Sequence, residues 1–294
     1  MLTHHRPKPE APERVVVLGG RGFIGRALIA TLQAAGIVHL VPRRDKLDLA
    51  AEGAGERLGA LLRPTDAVVV LSAVTPDKGR GVAAFSINVR IGVNVCAALE
   101  QVPPDHLVYV SSDAVYPLSV GLVTEETCGE PTDLYGAMHL GRELMMKTSV
   151  QSPVAVLRPT LVYGAADTHN SYGPNRLRRM AHKDGRIILF GAGEEMRDHI
   201  AIDDIATLIA LTLSHRSAGT LNLATGRSIS YAELAAKVAE LVPTPVEIAF
   251  RPRQVPITHR HFDITALRRA FPTFVLRPLE EGLAAAYREM LERQ

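Results

Sequence analysis

The sequence predicts a doubly wound α/β fold, a parallel sheet covered by helices on both faces, joined to a smaller and mostly helical lobe. Three observations lead there. Short runs of continuous apolar character, the pattern of strands buried on both faces, recur between Arg14 and Gly226. Amphipathic stretches of helical length separate most of them. The last third of the chain abandons that rhythm. A chain of 294 residues, 47% hydrophobic and 22% charged, buries a large core as one domain or two unequal ones.

The opening MLTHHRPKPEAPER is polar and proline-rich, so residues 1–13 read as a loose tail, without the apolar centre of a secretory signal. From Arg14, RVVVLGG and RGFIGRALIATLQAAG read as strand, tight turn and helix. Further strands are expected at IVHLV (37–41), DAVVVLSA (66–73), HLVYVSS (106–112), VAVLRPTLVYG (154–164) and GTLNLATG (219–226). The main helices between them are FSINVRIGVNVCAALEQ (85–101) and LYGAMHLGRELMMKTS (134–149). Residues 14–163 and 199–226 are thus assigned to the sheet domain, and 164–198 and 227–294 to the smaller lobe. There is no internal repeat and no low-complexity tract.

Composition narrows the function classes. A net charge of +2 without a run of five like charges gives no electrostatic stripe for nucleic acid. The two cysteines, Cys96 and Cys128, lack the spacing of a metal site and suit a reducing compartment, so a cytoplasmic protein without a metal is expected. The apolar stretch IATLIALTL from Ile205 falls short of the ~20 residues that span a bilayer, and no membrane partner is expected.

The first chemical signal is VVVLGGRGFIG, which places Gly19, Gly20, Gly22 and Gly25 directly after a strand and at the opening of a helix. Glycine permits positive φ and lets the backbone approach a pyrophosphate, whose charge then lies at the positive end of the helix. Such a turn in this context points to a dinucleotide and a Rossmann arrangement. The second strand ends VPRRDKLDL. An acidic residue there would meet a ribose hydroxyl, whereas Arg43 and Arg44 suit a 2′-phosphate. NADP is therefore preferred, with NAD possible, and Asp48 is a candidate for the adenine amino group.

With GGRGFIG, VSSDAVYP, LYGAMH, LRPTLVYG and RDHIAIDDIA in this order, the chain resembles the extended short-chain dehydrogenases/reductases of the NAD-dependent epimerase/dehydratase group, which act on nucleotide sugars. The resemblance implies a nucleotide-sugar substrate and a homodimer through the helices at 85–101 and 134–149. It implies catalytic roles for Ser112, which would orient the sugar carbonyl, for Tyr135 as acid/base, and for His139. Phe23, Ile24, Leu71, Ser72, Ala73, Ser111 and Pro159 would join the glycines around the cofactor, as would Tyr135 and His139, with Asn88 behind them. Ser112, Asp113, Asn175, Arg197 and Arg251 would hold the substrate.

Two departures bear on the reaction. The family has lysine where this chain has His139, four residues after Tyr135. That lysine binds the nicotinamide ribose and lowers the tyrosine pKa from about 10. Three readings stay open: His139 is a working substitute, Arg142 supplies the cation, or the site has lost its redox chemistry. The second departure is Ala114 after Asp113, where the family's 4,6-dehydratases carry an Asp-Glu pair. The expectation is a nucleotide-sugar oxidoreductase that reduces a 4-keto sugar. An epimerase with tightly held cofactor and a non-catalytic NAD(P)-binding or sensor protein are the alternatives.

Overall fold

The computed structural model of the chain describes residues 1–167, 170 and 173–293. In chain order the elements begin β1 (Thr3–His4), β2 (Arg14–Leu18), α1 (Phe23–Ala34), β3 (His39–Leu40), α2 (Ala54–Gly59), β4 (Asp66–Val70), α3 (Val82–Gln101) and β5 (His106–Val110). A 3-10 turn at Asp113–Val115 leads to β6 (Leu122–Val123), α4 (Leu134–Thr148), β7 (Val154–Pro159), β8 (Leu161–Tyr163), α5 (Pro174–Asp184), β9 (Arg186–Phe190) and β10 (Met196–Ala201). Then come α6 (Ile202–Ser214), β11 (Ser217–Leu223), β12 (Ser228–Ser230), α7 (Tyr231–Leu241), β13 (Glu247–Arg251), β14 (His261–Phe262), α8 (Thr265–Ala270) and α9 (Leu279–Glu292).

The main sheet runs β3-β2-β4-β5-β7-β11-β1, parallel except for the last pair. Alternate residues of its strands enter two separate cores. Val15, Val17, Val69 and Val108 face α1 and α6, while Val16, Val68, Leu107 and Tyr109 face α2, α3 and α4. This period of two, with both faces apolar, is why the strands read as continuous runs. Strand order reverses at β2, so a crevice opens beyond the carboxyl ends of β2 and β4, the place where doubly wound sheets hold ligands.

Four features differ from the sequence reading. Residues 3–4 are not a loose tail: they add the antiparallel edge strand, and the His4 ring bonds Ser217 Oγ (2.8 Å) and the Ala270 carbonyl (2.7 Å). The run 154–164 breaks at Thr160, so that β7 stays in the main sheet while β8 joins β10 and β12 in a second one. The smaller lobe, mostly helical through α5, α7 and α9, also carries strands, among them the β9–β13 pair. Finally, Phe262, Ile264, Leu267 and Phe271 pack into the core of the main sheet, which places α8 with that body. Among the described residues, α3 alone is long and apolar enough to cross a membrane; here it packs on α2 and α4.

Candidate active site

A cleft of about 650 Å³ lies at the carboxyl ends of β2, β4, β5 and β7. One wall is the glycine turn. Gly19 has φ +93°, and a Cβ on it would lie 2.8 Å from Ser72 N; one on Gly25 would lie 2.5 Å from Gly20 Cα. Gly19 thus lets the turn meet the backbone of the loop after β4, and Gly25 lets α1 start close against the turn. Gly22, Phe23 and Ile24, at the start of α1, line the cleft, and the first turn of that helix carries no acidic residue. The positive end of a twelve-residue helix beside bare backbone fits a pyrophosphate.

The floor and far wall bring together most of the expected cofactor residues: Leu71, Ser72, Ala73, Ser111, Pro159, Tyr135 and His139 all line the same cleft. The two arginines after the second strand part company. Arg44 lines the cleft, its side chain 84% exposed and 3.6 Å from Asp48, which also lines it. Arg43 does not; its guanidinium is forked onto Asp45 at 3.0 and 3.1 Å. Asn88 does not line the cleft either. Buried on α3, its amide bonds both the N–H and the carbonyl of Val74 (2.7 and 2.9 Å), which fixes the loop carrying Leu71–Ala73. Its role is to hold that loop.

The chemical end is built by the start of α4. Asp133 caps the helix by accepting from Gly136 N–H at 2.8 Å. A Cβ on Gly136 would collide with the Ala114 carbonyl, so glycine alone lets the helix lie against the 3-10 turn. Ser112 and Asp113 on that turn thereby come into the cleft with Tyr135. Ser112 Oγ accepts from Ala114 N–H at 3.2 Å and remains on the cleft wall, whereas Ser111 Oγ is committed to Glu143 at 2.6 Å. Glu143 also receives two bonds from the Arg158 guanidinium (2.9 and 2.5 Å), and these buried ties fix α4 to β5 and β7.

His139 is one helical turn beyond Tyr135, their rings edge to face at 4.6 Å. It is 3% exposed. Its Nδ1 lies 2.7 Å from the hydroxyl of Tyr109, and its buried Nε2 has no partner among the described residues. Arg142, one more turn along and 1% exposed, donates from Nη1 to the Ser72 carbonyl at 2.9 Å. Its guanidinium lies 5.2 Å from the Tyr109 ring centroid. Burial, helped by the Arg142 charge, pushes the imidazole pKa down to about 3, so His139 is neutral at pH 7. Burial likewise lifts the Tyr135 phenol above its ordinary range, with Arg142 pulling the other way. The His139 side chain lines the cleft, and its Nε2, buried and orphaned among the described residues, is a polar atom still to be satisfied, which fits a cofactor ribose hydroxyl.

The expected substrate residues divide. Asn175 lines the cleft, though its amide is turned to the Gly164 N–H (3.0 Å) and the Val162 carbonyl (3.3 Å). Arg197 does not line it: Glu195, Thr258 and the Met196 carbonyl hold its guanidinium. Arg251 is exposed on β13, also outside the cleft. Sequence reasoning missed Arg260. Buried at 4% exposure, it bonds the carbonyls of Asp113, Tyr116 and Pro117 and so clamps the turn behind Ser112. It missed Tyr109 too, for which a hydroxyl inside an otherwise aliphatic strand was the available signal. Arg260 has no comparable one.

Residues 15–224 match the profile of the family described as NAD dependent epimerase/dehydratase. GDP-L-fucose synthase of Escherichia coli K12 is 26% identical over 96% of this chain and 98% of its own. N-acetyl-alpha-D-glucosaminyl-diphospho-ditrans,octacis-undecaprenol 4-epimerase of Escherichia coli O157:H7 is 26% identical over 70% of this chain and 65% of its own. In three dimensions the chain is similar to a GDP-L-fucose synthetase from Naegleria fowleri, with a TM-score of 0.84 at 18% identity over 99% of this chain and 96% of that one. The NADP-bound form of that protein gives 0.81 at 19%, over 98% and 96%.

Proposed function

The chain belongs to the NAD-dependent epimerase/dehydratase family, and we propose that within it this protein is an NADPH-dependent reductase of a nucleoside diphosphate 4-keto sugar. The observation that carries the reading is the state of Tyr135. Its phenol lies in the cleft without a lysine beside it, and burial holds its proton in place. A reductase needs that proton to give to the nascent alkoxide. An oxidase or epimerase must first lose it.

Reduced nicotinamide, when bound, supplies the hydride. The residues of this chain supply the rest. The glycine turn and the start of α1 take the pyrophosphate, Arg44 the 2′-phosphate, and His139 Nε2 a ribose hydroxyl. Ser112 Oγ holds the keto oxygen, and Tyr135 Oη delivers the proton to it. Asp113 with Ala114 after it leaves out one carboxylate of the 4,6-dehydratase pair, which argues against dehydration. The relatives named for GDP-L-fucose synthesis and the NADP bound to one of them support the same direction.

The test is the loss of NADPH absorbance with a panel of nucleoside diphosphate 4-keto sugars, run with wild type and Tyr135→Phe. Wild type should turn over at least one sugar. The variant should lose turnover while NADPH affinity stays within about threefold, since the hydroxyl acts in proton transfer rather than binding. Interconversion of 4-epimers without net NADPH loss would make the protein an epimerase. Inertness with every sugar, alongside tight NADPH binding, would make it a binding protein.

A further inference from the structure

Tyr109 has one hydrogen-bond partner, the Nδ1 of His139 at 2.7 Å, and both side chains are almost wholly buried, at 1% and 3% exposure. Two protonation patterns are compatible with that distance. If Nδ1–H donated to the phenol oxygen, the phenol's own proton would have no acceptor among the described residues, and the buried Nε2 would be left bare. If the phenol donates to Nδ1, those two groups satisfy each other and the imidazole proton is on Nε2, which is buried and has no partner among the described residues. Each pattern leaves one buried donor to be met, but the phenol is the stronger donor and the imidazole nitrogen the stronger acceptor of the pair, and of the two side chains only His139 lines the cleft, where a ligand can meet its donor, so the second pattern dominates. The imidazolium form fails on the same count, because it too puts a proton on Nδ1 against the phenol oxygen.

The groups around the ring agree. From α4 the ring meets Tyr135 and the permanent charge of Arg142, and from β5 it meets Tyr109. No carboxylate is bonded to the ring to stabilise a cation. Burial lifts the Tyr109 phenol to about 12, so it keeps the proton it donates.

We propose that Tyr109 is a positioning residue that locks His139 as the neutral Nε2–H tautomer, presenting one fixed N–H donor to the cleft. With the cofactor reading above, on which this step rests, the acceptor is a hydroxyl of the nicotinamide ribose. The Tyr–His pair replaces the hydrogen-bonding half of a lysine's role without its charge.

The experiment is nitrogen-detected NMR of protein labelled with ¹⁵N-histidine, at pH 7 and without cofactor, with His139 assigned by its disappearance in His139→Gln. Wild type should show Nδ1 as a bare acceptor and Nε2 as protonated; a protonated Nδ1 overturns the proposal. Tyr109→Phe should move both nitrogens toward exchange-averaged shifts and weaken NADPH binding about five- to tenfold. An unchanged tautomer in a folded Tyr109→Phe also overturns it. In the His139→Gln background, whose amide donor has no tautomers, adding Tyr109→Phe should leave NADPH affinity within about twofold. A further large loss there would mean that Tyr109 acts on packing. If wild type binds no nicotinamide dinucleotide, the proposed function falls, whereas the tautomer spectrum still decides the role of Tyr109. If Tyr109→Phe does not fold, the wild-type spectrum decides it alone.

Discussion

Restoring a cation at position 139 should move the alkaline limb of the rate profile. In the wild type the phenol of Tyr135 is 4.6 Å from the neutral His139 ring, centre to centre. An ammonium at ~5 Å, in a cleft wall of effective dielectric ~20, would favour the phenolate by roughly 3 kcal/mol, about two pKa units. Tyr135 is only half-buried, so water screens part of that, and a fall of about one to two units is expected. His139→Lys alone puts two cations side by side, and the lysine would give up its proton before Arg142 does. The informative variant is thus His139→Lys with Arg142→Leu, compared with Arg142→Leu alone. The assay is keto-sugar reduction and its reverse between pH 6 and 10. Reduction should lose its alkaline activity earlier, and oxidation should gain near neutrality. A folded, NADPH-binding double variant whose limb coincides with that of Arg142→Leu would refute the link between position 139 and Tyr135.

The two arginines after β3 should separate by calorimetry. Arg44→Ala weakens NADPH about tenfold and NADH little, while Arg43→Ala, whose guanidinium is already on Asp45, changes both by less than about twofold. Stability should fall in mild acid. Burial pushes the pKa of His106 down to about 4 and those of His139 and His199 to about 3, so between pH 7 and 5.5 the unfolded chain takes up protons that the folded one refuses. At about 1.4 kcal/mol per unit for each group below ~6.5, that is roughly 4 kcal/mol lost, and equal urea midpoints at the two pH values would exclude it. Arg142→Met should leave stability unchanged or raise it, because Nε and Nη2 of the buried guanidinium have no partner. The same substitution should raise the pH at which Tyr135 ionises, readable from the same limb.

The sequence carried the sheet, the glycine turn and the Ser112–Tyr135 pair because each is written in local periods: apolar runs, glycine spacing, and a helix of four-residue offsets. What it hid depends on partners far along the chain. Arg43 and Arg44 are adjacent letters, yet one folds back on Asp45 and the other lines the cleft. Arg197 looks free in RDHIAIDDIA, but Thr258, some sixty residues on, holds it. Arg260 lies in a segment without regular periodicity, and nothing local says that it reaches back to the turn after β5. The break at Thr160 was hidden for another reason: both halves of 154–164 are strands, and only their different neighbours divide them.

The setting of His139 is therefore not the work of one position. An imidazole is shorter than a lysine stem and has two nitrogens to satisfy, so the space and the bonds around it must differ together. Tyr109 from β5 satisfies one nitrogen, and the other has no partner among the described residues. Arg142 packs against α3, where Gly92 leaves room for it. A Cβ at that glycine would lie 3.1 Å from Arg142 Cγ and 3.2 Å from Met145 Cε. Its charge then needs an acceptor, which the Ser72 carbonyl supplies from the loop that Asn88 holds in place. Donor and cation are here two residues, His139 and Arg142. The donor belongs to a side chain in the cleft wall. The cation stays beneath it, where it tempers the rise in the Tyr135 pKa without bringing the phenol down to the working pH, and a site so divided is suited to giving a proton rather than taking one.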